Sequence, residues 1–294
     1  MWKDRLDKSR ESGTAWVKGF GKRVKRWLAA PWHVFQRVCF YMGFTVFVGI
    51  GIAYFIVAGF FDSLPHVERM QLKDVQVLAS KRVEAKVVNK RYHHRWVPLK
   101  DISRDLLFAI VMSEDSTFFE HNGFNFDAMV DSLAENLRER RNAYGASTIS
   151  QQVVKNVFLD NEKSYKRKAR EFIVTWQMEK KFSKNELLEV YLNIAEFGPD
   201  IYGVAAASDI YFRKRPIDMN AAEGALLAVL LPSPKRFYYA IVENRNISKQ
   251  KKKRLERILR DMYYEEFISE NDYHKYIKYD YFSRIPMRAP AGRN

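Results

Sequence analysis

The run from Glu114 to Gly123 holds the residues best suited to chemistry. It reads Glu-Asp-Ser-Thr-Phe-Phe-Glu-His-Asn-Gly and follows an apolar stretch whose spacing predicts a helix. A carboxylate at a helix end, against aromatic side chains, suits general acid or base catalysis at a sugar bond. The reason is that an apolar wall raises the pKa of a carboxyl group. Because Glu-Asp pairs also occur on solvated helix ends, the run by itself leaves both interpretations open.

A second polar group lies between Gly145 and Asn156, where Gly-Ala-Ser-Thr leads into a predicted helix. Free backbone N–H groups at such a helix start favour an anionic oxygen. Either Ser147 or Thr148 can cap this helix. Three polar side chains fall within about one turn, and Lys155 continues near the same face; the three are Ser147, Gln151 and Gln152. A simple cap followed by a solvated face would give the same pattern.

A third group is cationic. Five basic residues precede Glu171 between positions 163 and 170: Lys163, Lys166, Arg167, Lys168 and Arg170. Lys and Arg side chains beside one acid suit a pyrophosphate, because they bind and neutralise a departing phosphate. The alternative is an ordinary surface helix start with an ion pair between Arg167 and Glu171, one helical turn apart.

In their order and spacing, these segments resemble the motifs of the peptidoglycan glycosyltransferases, the lysozyme-like transglycosylase domains of cell-wall synthases. A fourth match follows at Lys184-x-Glu-Leu-Leu-Glu-x-Tyr-Leu-Asn193, and the resemblance covers roughly residues 95–265. It implies a mainly α, lysozyme-like bilobal helical domain. The sequence departs from the family pattern at Pro199, Asp200 and Arg213, where glycines are common, so the shape of these loops is in doubt.

The resemblance also implies roles for individual residues. Glu114 corresponds to the general base that takes a proton from the 4-hydroxyl of the acceptor sugar, and Glu171 to a second glutamate near the donor's pyrophosphate. The remaining matched positions are expected to bind substrate: Asp115, Phe118, His121, Ser147, Thr148, Gln151, Gln152, Lys155, Asn156, Lys163, Arg167, Lys168 and Arg170.

The reaction implied is the polymerisation of lipid II into glycan strands, with inversion and with undecaprenyl pyrophosphate as the leaving group. The expected partners are lipid II, the nascent glycan chain and the bilayer, and other cell-wall synthases are candidates. The analogy allows a divalent cation, Mg²⁺ or Mn²⁺, at the pyrophosphate, but no carboxylate cage is visible in the sequence. The alternatives are a lysozyme-like hydrolase or lytic transglycosylase, which has no use for the cationic cluster, and a catalytically silent scaffold.

Composition limits the classes further. The net charge of +15, from 50 Lys and Arg against 35 Asp and Glu, implies an anionic partner such as nucleic acid, anionic lipid or a phosphate-bearing substrate. Cys39 is the one cysteine, which excludes disulfides within the chain and cysteine metal clusters. The pair His93-His94 lacks acidic ligands at metal spacing. No metal site is therefore predicted.

Residues 38–61 contain no charged side chain. As a helix they span about 36 Å, enough to cross a bilayer, and they start too late for a cleaved signal peptide. Residues 1–37 carry ten basic and three acidic residues, so the positive-inside rule predicts a cytoplasmic N-terminus. Anionic headgroups account for this basic segment without nucleic acid. Everything after Asp62 is then expected on the outer, periplasmic face of the plasma (inner) membrane.

The rest of the chain divides into a stem at 62–100 and a glycosyltransferase domain at 101–294. The stem is predicted to hold short strands or extended segments at 75–79 and 83–88 and a loop at 91–96. Too few residues remain after about 265 for a transpeptidase domain, so a monofunctional enzyme is expected. Phe124, Phe126 and a mobile loop at 138–146 are candidates for a flank that dips into lipid. The predicted helices cover 102–112, 126–137, 148–158, 167–182, 184–194, 205–211, 220–231, 248–266 and 269–276.

Overall fold

The computed structural model describes residues 2–88, 94–139, 147–160, 162 and 164–285. They belong to two compact units, Met1–Leu64 and Pro65–Asn294. The first unit is one long helix, α1 (Trp2–Asp62). The stretch Trp32–Arg69 is, by its length and composition, apolar enough to cross a membrane. The expected N-terminal apolar helix is therefore confirmed, and it fits a single-pass membrane anchor.

The second unit is built almost entirely of helices, which confirms the mainly α prediction. Its helices are α2 (Leu72–Lys86), α3 (Arg104–Glu114), α4 (Phe126–Glu139), α5 (Ile149–Phe158), α6 (Tyr165–Lys181), α7 (Lys184–Ile194), α8 (Gly203–Phe212), α9 (Ala221–Leu230), α10 (Pro234–Phe237), α11 (Lys249–Tyr264), α12 (Glu270–Tyr276) and α13 (Tyr281–Arg284). Among the described residues, strand is confined to a two-stranded antiparallel hairpin between α7 and α8, formed by β1 (Glu196–Gly198) and β2 (Ile201–Tyr202). Short 3-10 turns occupy Val67–Arg69, Leu99–Asp101 and Pro216–Asp218, and a π-helical turn occupies Tyr238–Glu243.

The predicted strands at 75–79 and 83–88 are wrong, because these residues lie mainly in α2. Val75, Ala79 and Val83 are spaced four residues apart and are all buried, so they form one face of a helix. That face packs against α5 and α7. Burial of this stripe outweighs the preference of valine for strands, which rests on restricted side-chain rotation.

Side-chain caps define most of the helix starts. Seven helices begin with an N-cap hydroxyl or amide oxygen that accepts a backbone N–H: Ser103, Thr148, Ser164, Ser183, Asn220, Ser248 and Ser269. The predicted helices consequently agree with the observed ones to within two residues at each end. Helix α4 continues to Glu139, so residues 138 and 139 belong to the helix and not to the predicted loop. The rest of that loop, 140–146, lies outside the described part of the chain.

Two groups of helices form the core of the second unit. In the first, α3 packs closely against α9, and α11 packs against both. A Cβ added to Gly224 would lie 2.9 Å from Leu106 Cα, so glycine permits this close approach of α9 to α3. In the second group, α5 packs against α2, α6 and α7. Glu114, at the end of α3, bonds to Gln152 of α5, so it lies where the two groups meet.

The segment before α3 is fixed to α7 by two side chains. Glu189 accepts hydrogen bonds from Trp96 Nε1 at 2.9 Å and from the Leu99 backbone N at 2.8 Å. Asn193 Oδ1 accepts from the Val97 backbone N at 2.8 Å, and its Nδ2 donates to the Val97 carbonyl at 2.8 Å. Residues 94–98 have no regular secondary structure, as predicted for this part of the 91–96 loop, whereas 91–93 lie outside the described residues.

Candidate active site

Glu114 is the last residue of α3, and its side chain is only 11% exposed. Gln152 Nε2 donates to Glu114 Oε2 at 3.0 Å, and Arg254 Nη2 lies 3.7 Å from Glu114 Oε1. Burial raises the pKa of Glu114, while the Gln152 donor and the Arg254 charge lower it and the Asp115 charge adds to the rise. A carboxylate that is nearly enclosed, yet still reached by solvent and held at both oxygens, can act as a general base.

The orientation of the Gln152 amide follows from a second contact. The Tyr191 hydroxyl, on α7, lies 3.5 Å from Gln152 Oε1 as a donor, which directs the amide NH₂ towards Glu114. Burial raises the pKa of Tyr191 well above its usual value, with added contributions from the charges of Glu114 and Asp115. The phenol therefore remains a donor at neutral pH. Tyr191 belongs to the fourth motif but was not predicted as a site residue.

Arg254 is a second residue that sequence reasoning missed. It lies on α11, donates from Nη2 to Ser113 Oγ at 2.9 Å and forms its ion pair with the adjacent Glu114. Burial lowers the pKa of Arg254, the Glu114 charge opposes this, and Arg257 adds to the lowering. In the sequence it is one of several basic residues on a charged helix, and no local pattern separates it from its neighbours.

Asp115, the residue after Glu114, is a buried acid that positions the neighbouring segments. It is 7% exposed, its Oδ1 lies 2.9 Å from His121 Nε2, and its Oδ2 accepts the backbone N–H of Ile149 at 2.9 Å. His121 Nδ1 accepts the Gly123 backbone N–H at 3.1 Å, so the ring proton is on Nε2 and points at Asp115. Asp115 thus ties the end of α3 to the start of α5.

These contacts change the expectation for the start of α5. The Thr148 backbone N donates to Gln151 Oε1 at 3.0 Å, and Thr148 Oγ1 accepts from the Gln151 backbone N. Together with Ile149, whose N–H is bound by Asp115, these groups are already satisfied within the protein. The expectation that they are free for an anionic oxygen of a ligand is wrong.

The polar side chains predicted along this helix differ in how deeply they are buried. Gln151 is 2% exposed and forms part of the cap, whereas Gln152 reaches Glu114. Thr148 is buried and donates from its hydroxyl to the Gly123 carbonyl at 2.7 Å. Ser147 and Lys155 are exposed, and Asn156 is half-buried. Of this group, Gln152 alone contacts Glu114 through a side-chain hydrogen bond among the contacts described.

The turn after Asp115 is held in place by a further buried acid, Glu179. Phe118 is fully buried, and Lys184 Nζ lies 4.5 Å from the centre of its ring. Lys184 also donates to Glu179 Oε1 at 2.8 Å, and Ser150 Oγ bonds to the same oxygen. Gly123 has φ +89°, and an added Cβ would meet Glu179 Cγ at 2.8 Å. The loop carrying His121 is therefore tightly packed.

The cationic segment forms the start of α6. Glu171 is 2% exposed and bonds to Arg167 Nη1 at 2.8 Å and to Lys168 Nζ. The alternative of an Arg167–Glu171 pair thus describes the geometry correctly, although the acid is buried. Lys168 and Arg167 still reach solvent, with side chains 48% and 22% exposed. Arg170 is half-buried, and Lys163 lies outside the described residues.

The described residues contain no group of three or more His, Cys, Asp or Glu arranged to hold a metal ion. Glu171, the acid within the cationic segment, directs its oxygens at Arg167 and Lys168. The described residues of this segment therefore do not form a ligand set for Mg²⁺ or Mn²⁺, and the Arg167 and Lys168 side chains fit a phosphate instead.

Fold and site together define a class: a mainly helical protein with a helix able to span a membrane and a nearly enclosed carboxylate suited to acid–base chemistry. A model of the transglycosylase family matches residues 80–263, which is more than half of the chain. The chain belongs to the transglycosylase family.

Named relatives share long stretches with it. It is 50% identical over 142 residues to the biosynthetic peptidoglycan transglycosylase of Pasteurella multocida, which covers 48% of this chain and 57% of the relative. It is 44% identical over 155 residues to the protein of that name from Aromatoleum aromaticum, covering 53% and 67%. For the Paraburkholderia xenovorans protein of that name, the identity is 44% over 144 residues, covering 49% and 60%. The chain thus spans about three fifths of these relatives' length.

Proposed function

We propose that this chain is a peptidoglycan glycosyltransferase that polymerises lipid II into glycan strands, with inversion and with undecaprenyl pyrophosphate as the leaving group. The observation that carries the proposal is Glu114, a nearly enclosed carboxylate held by Gln152 and Arg254. It lies within the span matched by the transglycosylase family, and the relatives named above are biosynthetic peptidoglycan transglycosylases.

In the proposed reaction, ionised Glu114 accepts the proton of the acceptor's 4-hydroxyl as that oxygen attacks the anomeric carbon of the donor. Inversion needs one displacement, so no protein nucleophile is required. Gln152 and Arg254 hold both carboxylate oxygens, which fixes the direction of the basic lone pairs. Asp115 acts as a positioning residue, because its oxygens bond to His121 and Ile149.

The cationic start of α6, with Lys155 and Lys163, is the proposed site for the donor's pyrophosphate. The side chains of Arg167 and Lys168 are partly exposed, so their charges can stabilise the departing phosphate. Buried Glu171 binds both cations and limits their motion, so we assign it a positioning role for the leaving-group site.

The lipid tail of the substrate calls for an apolar surface near this site. Large apolar side chains that are at least 44% exposed on α4 and α6 include Phe126, Val130, Phe172 and Trp176. Phe124, in contrast, is 8% exposed and stacks on Phe172 at 4.2 Å between ring centres, so of the two aromatic candidates only Phe126 is available to lipid. We propose that this patch meets the outer leaflet, with the N-terminus of α1 in the cytoplasm and the plasma membrane as the location. Other cell-wall synthases are candidate partners.

The decisive experiment supplies the purified full-length protein with lipid II in detergent or nanodiscs and follows polymer by gel electrophoresis. We expect polymer from the wild type and none from Glu114→Gln. Glu120→Gln is the matched control, because Glu120 is exposed on the same loop and should retain activity. Polymerisation by Glu114→Gln would refute the base assignment. Release of soluble fragments from mature wall without polymer would support a lytic enzyme instead.

The lipid patch has its own test. Phe126→Gln should raise KM for lipid II with a long tail but leave KM for a short-tailed analogue unchanged, because only the long tail needs the apolar surface. Ile217→Gln is the control, since Ile217 is 41% exposed but lies on the Pro216–Asp218 turn. An equal rise in KM for both substrates would assign Phe126 to the sugar or phosphate site.

A further inference from the structure

Lys86, the last residue of α2, is a half-buried cation that lies outside the four sequence motifs. Arg82, one turn earlier on the same side of the helix, pairs through Nη1 with Oδ1 of Asp160, just after α5, at 3.0 Å. Val88, two residues after Lys86, donates its backbone N–H to Asp200 Oδ1 at 3.0 Å. The end of α2 is therefore held between the end of α5 and the turn that joins β1 to β2.

This arrangement brings Lys86 towards Lys155, a residue of the proposed pyrophosphate site. Helices α2 and α5 pack against each other. From the Arg82–Asp160 ion pair, Lys86 lies about one turn further along α2, and Lys155 lies about 1.4 turns back along α5. Burial is the main cause that lowers the pKa of Lys86, and the negative charge of Glu196 opposes it. The positive charges of Arg82 and Lys155 lower that pKa further, so the two ammonium groups are close enough to repel.

Neither lysine is neutralised within the described part of the chain. Between described residues, Lys86 and Lys155 take part in no ion pair and no side-chain hydrogen bond. Glu196, the acid whose charge acts on Lys86, has its Oε1 3.7 Å from Lys235 Nζ. A half-buried ammonium group without a partner costs free energy, and a like charge beside it adds to that cost. An anionic ligand that binds both ammonium groups would remove both penalties.

We infer, on the basis of the proposed function, that Lys86 is a further binding residue for the donor's pyrophosphate, which it binds together with Lys155. At the start of α6, buried Glu171 bonds to both Arg167 and Lys168 and offsets part of their charge. When the bond between the anomeric carbon and the phosphate oxygen breaks, its electron pair stays on that oxygen, and the pyrophosphate gains one negative charge. Two lysines without a compensating acid stabilise this added charge.

The test compares two substitutions at this position. Lys86→Met removes the charge and keeps most of the side-chain length, whereas Lys86→Arg keeps the charge. Lys81→Met is the matched control, because Lys81 is exposed on another face of α2. The first measurement is the Kd of farnesyl pyrophosphate, a short-chain analogue of the leaving group, for the full-length protein in detergent.

We expect Lys86→Met to raise this Kd about five- to tenfold, and Lys86→Arg and Lys81→Met to stay within about twofold of the wild type. An unchanged Kd in Lys86→Met would overturn the inference. Absence of both polymer and farnesyl pyrophosphate binding in the wild type would refute the proposed function. Wild-type polymer together with an unaffected Lys86→Met would refute only the assignment of Lys86.

Thermal unfolding distinguishes a binding residue from a structural one. Without ligand, Lys86→Met should unfold at the same temperature as the wild type or higher, because it removes an unpaired, half-buried charge. Farnesyl pyrophosphate should raise the unfolding temperature of Lys86→Met by less than that of the wild type. A lower unfolding temperature of ligand-free Lys86→Met, with farnesyl pyrophosphate bound as tightly as by the wild type, would make Lys86 a structural residue and overturn the inference.

The donor and the acceptor each carry a pyrophosphate, and a donor-only substrate separates them. A lipid II analogue without the 4-hydroxyl can act as donor but not as acceptor. With this analogue as donor and lipid II as acceptor, Lys86→Met should raise KM for the analogue about five- to tenfold and KM for lipid II by less than about twofold. The reverse pattern would assign Lys86 to the acceptor's pyrophosphate and overturn the inference.

Discussion

Replacement of Arg254 by glutamine should move the pH dependence of polymerisation, because Arg254 is the positive charge closest to the proposed base. Arg254 Nη2 lies 3.7 Å from Glu114 Oε1 and lowers the pKa of Glu114 against the larger effect of burial. Without this charge the pKa of Glu114 rises further. A higher pKa leaves less of the carboxylate ionised at a given pH. The acid limb of the pH–rate profile should therefore move to higher pH.

The size of the shift follows from the geometry. Two unit charges 3.7 Å apart attract by about 1 kcal/mol at the dielectric constant of water and by about 4.5 kcal/mol at an effective value of 20. The Arg254 side chain is 32% exposed, so water and salt reduce the upper figure. A value of about 1.5–2 kcal/mol corresponds to slightly more than one pKa unit. At pH values on the acid limb, the rate of Arg254→Gln should therefore be roughly tenfold lower than that of the wild type.

The assay is kcat/KM for lipid II polymerisation across the pH range in which the protein stays folded. Arg254→Gln should shift the acid limb upwards by about one unit and change the high-pH plateau by less than about threefold. Ser113→Ala should give a smaller shift of the same sign, since Ser113 Oγ accepts a hydrogen bond from Arg254. Arg260→Gln is the control, because exposed Arg260 lies on the same helix and pairs with half-buried Asp261. An unmoved limb with equal loss at every pH would refute the reasoning and place Arg254 against substrate.

Three further predictions concern stability, measured by thermal unfolding of the full-length protein in detergent. Glu114→Gln should stabilise by about 1 kcal/mol at neutral pH. The folded pKa of Glu114 is raised above the unfolded value, so the native carboxyl favours folding only when protonated, and that benefit is lost as pH rises through the folded pKa. The gain should vanish near pH 4, and a gain that persists there would contradict the burial argument. Asp115→Asn should destabilise the protein by about 2 kcal/mol, because both carboxylate oxygens accept N–H groups and the amide NH₂ of Asn must face one of those donors. Unchanged stability would show that neither hydrogen bond stabilises the fold. Gly123→Ala should also cost about 2 kcal/mol, since φ is +89° and the new Cβ would meet Glu179 at 2.8 Å. Exposed Asn122→Ala serves as its neighbour control, and an equal loss in both variants would argue against strain at Gly123.

Local signals made much of the fold predictable. Ser183 and Glu186 form the capping box expected at the start of α7, and α7 ends where the apolar spacing ends. Caps and spacing act within one or two turns, so the sequence carries all the required information. The strands predicted at 75–79 and 83–88 are wrong because the structure of this segment depends on distant partners. Val75, Ala79 and Val83 become a helical face only when α5 and α7 cover them.

The candidate site divides in the same way. The motif alone predicts Glu114 as the candidate base, but it does not predict the different surroundings of Gln151 and Gln152. The two are adjacent in sequence, yet one closes the cap of α5 and the other reaches across to α3. The rotation of α5 about its axis relative to α3 decides which amide caps α5 and which reaches Glu114. That rotation is set by packing.

The sequence by itself determined the apolar span, most of the helical elements and the motif that contains Glu114, because these depend on residue type and on spacing within a few turns. Only the tertiary structure decided what surrounds the carboxylate. Arg254 reaches Ser113, 141 residues away along the chain, because α11 packs against α3. The burial that raises the pKa of Glu114 comes likewise from helices distant in sequence. Charge pairing and desolvation act through space, so they exist only once the helices have packed.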